Sequence, residues 1–159
     1  MSSSADLPTA LRDPQPRNVQ LLLDSRLPAR MAWVGGDGQP YVAAMWFRWT
    51  GTELEMSTFQ GAKKLEDLRD GVSVEVLIDT DVFPYRSVKM AGPITLEEHD
   101  GITQSYQQSA TRYLGEEAGR EWCTSLEGAT QVLIRLTPTT ASSSDMSSAP
   151  FLSESAGTH

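Results

Sequence analysis

The sequence predicts an α+β fold that is mainly β: a small antiparallel barrel with short flanking helices. Three observations carry this. Apolar stretches bounded by glycine turns give about six strands. Helical periodicity is confined to short segments, chiefly 99–127. Strands and helices do not alternate regularly and no G-x-G-x-x-G occurs, which argues against a doubly wound parallel sheet.

Taken in order, residues 1–16 are rich in proline and serine and poor in large apolar groups, so they predict a flexible arm. "NVQLLLDSR" (18–26) predicts a short helix that Pro28 ends. Three antiparallel strands follow near 29–34, 40–49 and 52–58. Gly35, Gly36, Asp37 and Gly38 supply the first turn, and Thr50-Gly51 the second. The middle strand is apolar on both faces. Tyr41, Ala43, Met45, Phe47 and Trp49 line one; Val42, Ala44, Trp46 and Arg48 line the other. A strand with one wet face alternates apolar with polar. Here one face fills a barrel, and the other needs a helix, a second subunit or a ligand over it.

"AKKLEDLRD" reads as a short helix with Leu65 and Leu68 inward, and "VSVEVLID" as a strand. The longer strand "RSVKMAGPITLEE" carries Gly92-Pro93, the mark of a bulge or bend. His99 reads as a helix-start residue. Ile102, Tyr106, Ala110 and Tyr113 then fall at helical spacing, and Gly115 ends that helix. A second helix covers "EEAGREWCTSL"; Tyr106, Tyr113 and Trp122 read as packing residues and Cys123 as a buried small hydrophobe. "TQVLIRLTP" is the last strand. The serine- and threonine-rich segment 139–159 predicts a disordered tail, leaving 17–138 as the folded domain.

Composition narrows the function. The chain has 159 residues, a net charge of −8 and a pI near 4.7. That argues against nucleic acid, whose phosphates call for lysine and arginine, and against an anionic membrane surface. No apolar run approaches the roughly 20 residues that span a bilayer, and the first residues lack a secretory apolar segment. Cys123 is the single cysteine, so no intrachain disulfide forms. Together these lead us to expect a cytoplasmic protein. His99 and His159 are too few for a zinc site of the Cys/His kind, and no metal is expected. A serine triad would have to rest on His99, without a G-x-S-x-G elbow.

The stretch "STFQGAKKLEDL" (57–68) carries the candidate chemistry. A strand ends at Ser57-Thr58, Gly61 permits a tight turn, and a helix begins near Ala62. Its first turn presents unpaired N–H groups and a positive dipole end. Lys63 and Lys64 are unfavourable there, and they repel each other. A bound anion, most simply a phosphate, removes both penalties. The alternative is a pair of solvated lysines with Glu66 and Asp67 nearby.

This stretch resembles the flavin-binding split β-barrel of the pyridoxamine 5'-phosphate oxidase-like class. That family reads strand, threonine, short loop, Arg/Lys-Lys, two residues, then Asn/Glu-Leu; Thr58, Lys63-Lys64 and Leu68 follow the frame. "MAWVGGDGQPYVAAMWFRW" is similar to its hairpin and "PYRSVKMAGPITL" to its later strand, so the resemblance runs from about Leu22 to Pro138. It implies a six-stranded split-barrel homodimer with a cofactor, FMN or the deazaflavin coenzyme F-420, in the dimer cleft. It implies that Lys63 and Lys64 hold the cofactor phosphate, that Ser57 and Thr58 line the ring or ribityl part, and that Gln60, Gly61 and Ala62, in the loop between, also bind the cofactor. Trp46 falls beside the ring, and Tyr85 and Arg86 in a loop near the partner's cofactor. Arg48 either contacts the ring or acidic tail, or pairs with a carboxylate. Met45 replaces a common proline, Asp67 a common asparagine, and the family's C-terminal tryptophan has no counterpart.

The implied activity is hydride transfer between reduced F-420 and a small organic substrate. The alternatives are an FMN-dependent oxidase or reductase and a non-catalytic flavin or haem carrier. A flavin-type cofactor supplies its own chemistry, so no acid/base dyad or other catalytic residue is nominated.

Overall fold

The computed structural model describes residues 6–13 and 15–148. Helix α1 (Arg17–Leu23) precedes strands β1 (Ala29–Val34), β2 (Pro40–Met45), β3 (Phe47–Trp49) and β4 (Leu54–Phe59). Strands β5 (Ser73–Asp79) and β6 (Arg86–His99) follow. Then come helices α2 (Gln104–Leu114) and α3 (Glu116–Ser125) and strands β7 (Gln131–Leu136) and β8 (Thr140–Asp145).

All strand pairs are antiparallel. The order is β2-β1-β5-β6-β7-β4-β3, with β8 beside β6. The two ends of this path, β2 and β3, are joined through Trp46, so the sheet curls round on itself. Met31, Met45, Phe47, Met56, Val76, Ile78, Met90, Ile94 and Ile134 fill the interior, each almost fully buried. Strand β6 turns the corner. Its first part pairs with β5 and β8, and Ile94–His99 pairs with β7. The registers are unbroken, so the bend at Gly92-Pro93 is a change of partner without a bulge. A Cβ at Gly92 would meet the carbonyl oxygen of Thr137, so glycine is needed for close backbone approach.

Eight strands stand where six were expected. The run 40–49 breaks at Trp46 into β2 and β3, because its two ends pair with β1 and β4. The eighth strand, β8, lies in the segment expected to be disordered. It is polar and half-exposed, and the β6 ladder holds it, together with an Arg86–Asp145 ion pair of 3.2 Å. Residues 149–159 lie outside the described residues, as do 1–5. The expected flexible arm also departs from expectation: a 3₁₀ turn at Thr9–Leu11 brings Leu7 and Leu11 to 2% and 0% exposure in the core. These two leucines, four apart, are the large apolar groups of residues 6–16.

Helix α2 covers the outer face of β3 and β4. Its N-cap is Thr103, whose hydroxyl accepts from the Tyr106 amide; His99, expected to start the helix, ends β6 instead. Ser109 donates to the Phe47 carbonyl at 3.2 Å and Tyr113 to the Leu27 carbonyl at 2.8 Å. Trp122 and Cys123 on α3 lie near the surface rather than in the core, and the Trp122 indole donates to the Tyr106 hydroxyl at 2.9 Å.

Candidate functional site

The doubly apolar run 40–49 separates the candidate residues by face. Alternation along β4 buries Leu54, Met56 and Thr58 and turns Glu55, Ser57 and Phe59 outward. Ser57 therefore meets α2, with its hydroxyl 2.8 Å from that of Thr103. Trp46 lies under the same helix, stacked on Tyr113 at 5.1 Å and tilted against Tyr106 at 5.4 Å. Arg48 donates to Glu55 at 3.2 Å, the carboxylate pairing weighed from the sequence. Glu55 also meets Arg135, which bonds Glu97 at 2.5 Å, so a charge chain runs beneath α2. Arg135 holds the Glu97 carboxyl below its usual value. Tyr85 and Arg86 lie elsewhere, beside β8.

Lys63 and Lys64 are placed by a tight sequence of turns. Gln60 donates its amide to Thr130 at 2.9 Å, Gly61 takes φ +82°, and Ala62 leads into Lys63–Glu66. This last segment is a single 3₁₀ turn, not the expected helix. Its four residues sum too little dipole to make an anion site, so the lysines alone would attract a phosphate here. Buried Leu68 anchors the turn.

What the structure adds is a cleft of about 490 Å³ lined by Trp33, Asp37, Tyr41, Lys63, Lys64, Glu66 and Asp67. Trp33 and Tyr41 are cross-strand partners, with rings stacked at 5.8 Å and 18°. Asp67 accepts from the Gly36 amide at 3.0 Å and the Trp33 indole at 3.1 Å, and these bonds keep its carboxyl below the usual range. Asp37 accepts from the Tyr41 hydroxyl at 2.5 Å and the Gln39 amide at 3.0 Å, again lowering its pKa; the same bond raises that of Tyr41. Both aspartates are thus engaged by neutral donors. Among the described residues neither Lys63 nor Lys64 forms an ion pair. Lys64 donates to the Thr58 hydroxyl at 3.3 Å.

The structure therefore brings Thr58, Lys63 and Lys64 together and leaves Trp46, Arg48, Ser57, Tyr85 and Arg86 apart within one chain. Trp33, Asp37 and Tyr41 were missed as site residues. Their signal was the glycine-rich hairpin itself, whose tip reaches the lysines only in three dimensions. A larger depression, about 650 Å³ between α2 and α3, has one cation, Arg120, and no paired basic residues.

A comparison with curated proteins finds no match. Among solved structures, an F-420 reductase is 24% identical over 77% of this chain and 94% of its own, with a TM-score of 0.59. A conserved hypothetical protein from Mycobacterium tuberculosis is 21% identical over 92% and 91%, with a TM-score of 0.62. An FAD and haem binding protein from Mycobacterium smegmatis is 17% identical over 91% and 79%, with a TM-score of 0.59. At these identities the likeness shows the fold, a curled antiparallel sheet with flanking helices. The pyridoxamine 5'-phosphate oxidase family model matches residues 15–144, which includes all but the last residue of β8 and nearly the whole described fold. The chain therefore belongs to the pyridoxamine 5'-phosphate oxidase family.

Proposed function

We propose that this protein is a flavin- or deazaflavin-dependent oxidoreductase. In this reading it moves a hydride between reduced coenzyme F-420 and a small organic substrate, and holds the cofactor phosphate on Lys63 and Lys64. One observation carries the reading: two ammonium groups without ion-pair partners share a cleft whose aspartates are bonded elsewhere. Its volume falls within the usual range for small-molecule sites. The cofactor ring would supply the redox chemistry. The chain's own part is to bind and orient: the lysines attract the phosphate, Lys64 is steadied by Thr58, and Trp33 and Tyr41 wall the cleft. FMN is the alternative cofactor, with the same phosphate contact.

The same proposal includes a two-fold partner. Val34 and Val42 are 67% and 68% exposed, and they lie on one outer face with Ala32 and Ala44 of the β1–β2 hairpin. Such a face fits a second copy of the chain.

The decisive experiment titrates the protein and its Lys63→Ala/Lys64→Ala variant with F-420 and with FMN. Two lost charge-assisted contacts should weaken binding by about a hundredfold or more. The melting temperature of the ligand-free variant should stay close to that of the parent, because the lysines support little else. Equal affinity in both proteins would reduce the lysines to surface charge. Absence of binding by the parent would sink the cofactor reading.

A further inference from the structure

Away from the lysine cleft, the loop between β5 and β6 holds three large apolar side chains in water. Val82, Phe83 and Tyr85 are all exposed, and Phe83 stands edge-on to Tyr85 at 5.7 Å. The loop is closed at its base. The Thr80 amide donates to the Arg86 carbonyl and the Arg86 amide to the Thr80 hydroxyl, each at 2.9 Å. Beside it lies a groove of about 510 Å³, whose apolar lining is Leu77, Tyr85 and Met146. That volume is in the range of sites that bury a small molecule, so it has room for two large side chains. Two of the lining charges are already paired within the chain: Arg86 with Asp145 at 3.2 Å, and Asp79 with Arg30 at 2.5 Å. Asp81, the remaining one, is exposed. What the groove leaves uncovered is apolar surface.

The chain carries an occupant for it. After β8, a 3₁₀ turn (Met146–Ser148) is tied to the same loop. The Met146 amide donates to the Tyr85 carbonyl at 2.9 Å, and the Ser147 amide and hydroxyl both donate to Asp145, the partner of Arg86. Residues 149–159 therefore start three positions after Met146, on the groove wall. They begin "APFLS", without a charge, and Phe151 and Leu152 are their only large apolar residues. Phe151 follows Met146 by five positions, which extended chain spans in about 17 Å, so the pair reaches the groove without disturbing β8. The other exposed apolar pair, Val34 and Val42, lies across β6 and β5 from β8. We propose that residues 149–153 fold back within the same chain and seat Phe151 and Leu152 in this groove, against Leu77, Tyr85 and Met146. Contact takes apolar surface of both partners out of water, and the uncharged segment disturbs neither ion pair. The segment after β8 then clasps the 80–85 loop, and the exposed aromatic pair becomes part of the fold.

Nuclear Overhauser spectroscopy of the full chain tests this. The Phe151 ring and the Leu152 methyls should show contacts to Leu77, Tyr85 or Met146. In a mixture of labelled and unlabelled chains, the same contacts should appear within one chain and not between two. Phe151→Ser/Leu152→Ser in the full chain should erase them and lower the melting temperature by about 2–4 °C. In a Tyr85→Ala background that double change should cost less than half as much, because residues in contact do not act additively. Leu77→Ala serves as the background if Tyr85→Ala fails to fold, and the spectroscopic test needs neither. Random-coil shifts throughout residues 149–159 would overturn the proposal. Contacts to any other surface, or contacts found only between chains, would do the same and would assign the groove to a second copy in the latter case. An equal loss of melting temperature in both backgrounds would also overturn it. None of these outcomes touches the cofactor reading, which rests on the other cleft.

Discussion

Asp67 holds two parts of the chain together through one carboxylate. One oxygen accepts from the Gly36 amide at the hairpin tip, the other from the Trp33 indole. Asparagine offers a single acceptor oxygen, so Asp67→Asn must orphan one donor. Trp33 is 7% exposed, so losing its partner is the costlier outcome. We expect Asp67→Asn to lower the melting temperature by about 2–4 °C, and Asp67→Ala by more, in differential scanning fluorimetry. An unchanged value for both would show that the hairpin tip stands without Asp67. The pH dependence has a definite sign. The folded-state pKa of Asp67 is depressed, so its contribution is fully present well above the unfolded value of about 3.9 and is lost as pH falls through the folded value. Melting curves of the parent and Asp67→Ala should therefore converge on acidification below about pH 4. The sequence marked Asp67 as an unusual acid near the lysines. Its partners were illegible because they lie more than thirty positions away and meet it only through the β1–β2 fold.

Elements with apolar periodicity were legible, and elements held by backbone alone were not. β1, β5, β6 and β7 bury alternate or successive apolar side chains, and their positions were readable within a residue or two. β8 reads "TASSSD", has no apolar face, and exists because β6 offers a free edge from Arg86 to Ala91. The turn at Lys63–Glu66 was misread as a longer helix because Leu65 and Leu68 mimic helical spacing, whereas Gly71 and the start of β5 leave no room for a second turn. β8 carries a test. Ending the chain at Pro138 removes the ladder to β6, the Arg86–Asp145 pair and the packing of β8 against the turn at Thr9–Leu11. A chain ended at Ser148 keeps all three and serves as the reference. The shorter chain should melt several degrees lower; equal melting temperatures would show that β8 adds nothing to stability.

At the scale of the whole molecule, the run 40–49 is partly covered by its own chain. α2 shields the half with Trp46 and Arg48, and the half with Val42 and Ala44 faces outward. Under the proposed two-fold assembly, Val42→Asp places a charge in the interface and should convert a dimer to a monomer in sedimentation velocity. A parent protein that sediments as a monomer at micromolar concentration would defeat the assembly. The strand order has a further consequence, for synthesis. β7 is wedged between β4 and β6, yet it is made after both, with α2 and α3 intervening. A growing chain that has reached Thr130 therefore displays two bare edges, those of β4 and of the Ile94–His99 half of β6, with nothing to fill the slot. Unpaired edges are templates for pairing with other chains. On the ribosome, this barrel is a ring held open until residues 131–136 arrive, and in that interval its hazard is a neighbouring copy of itself.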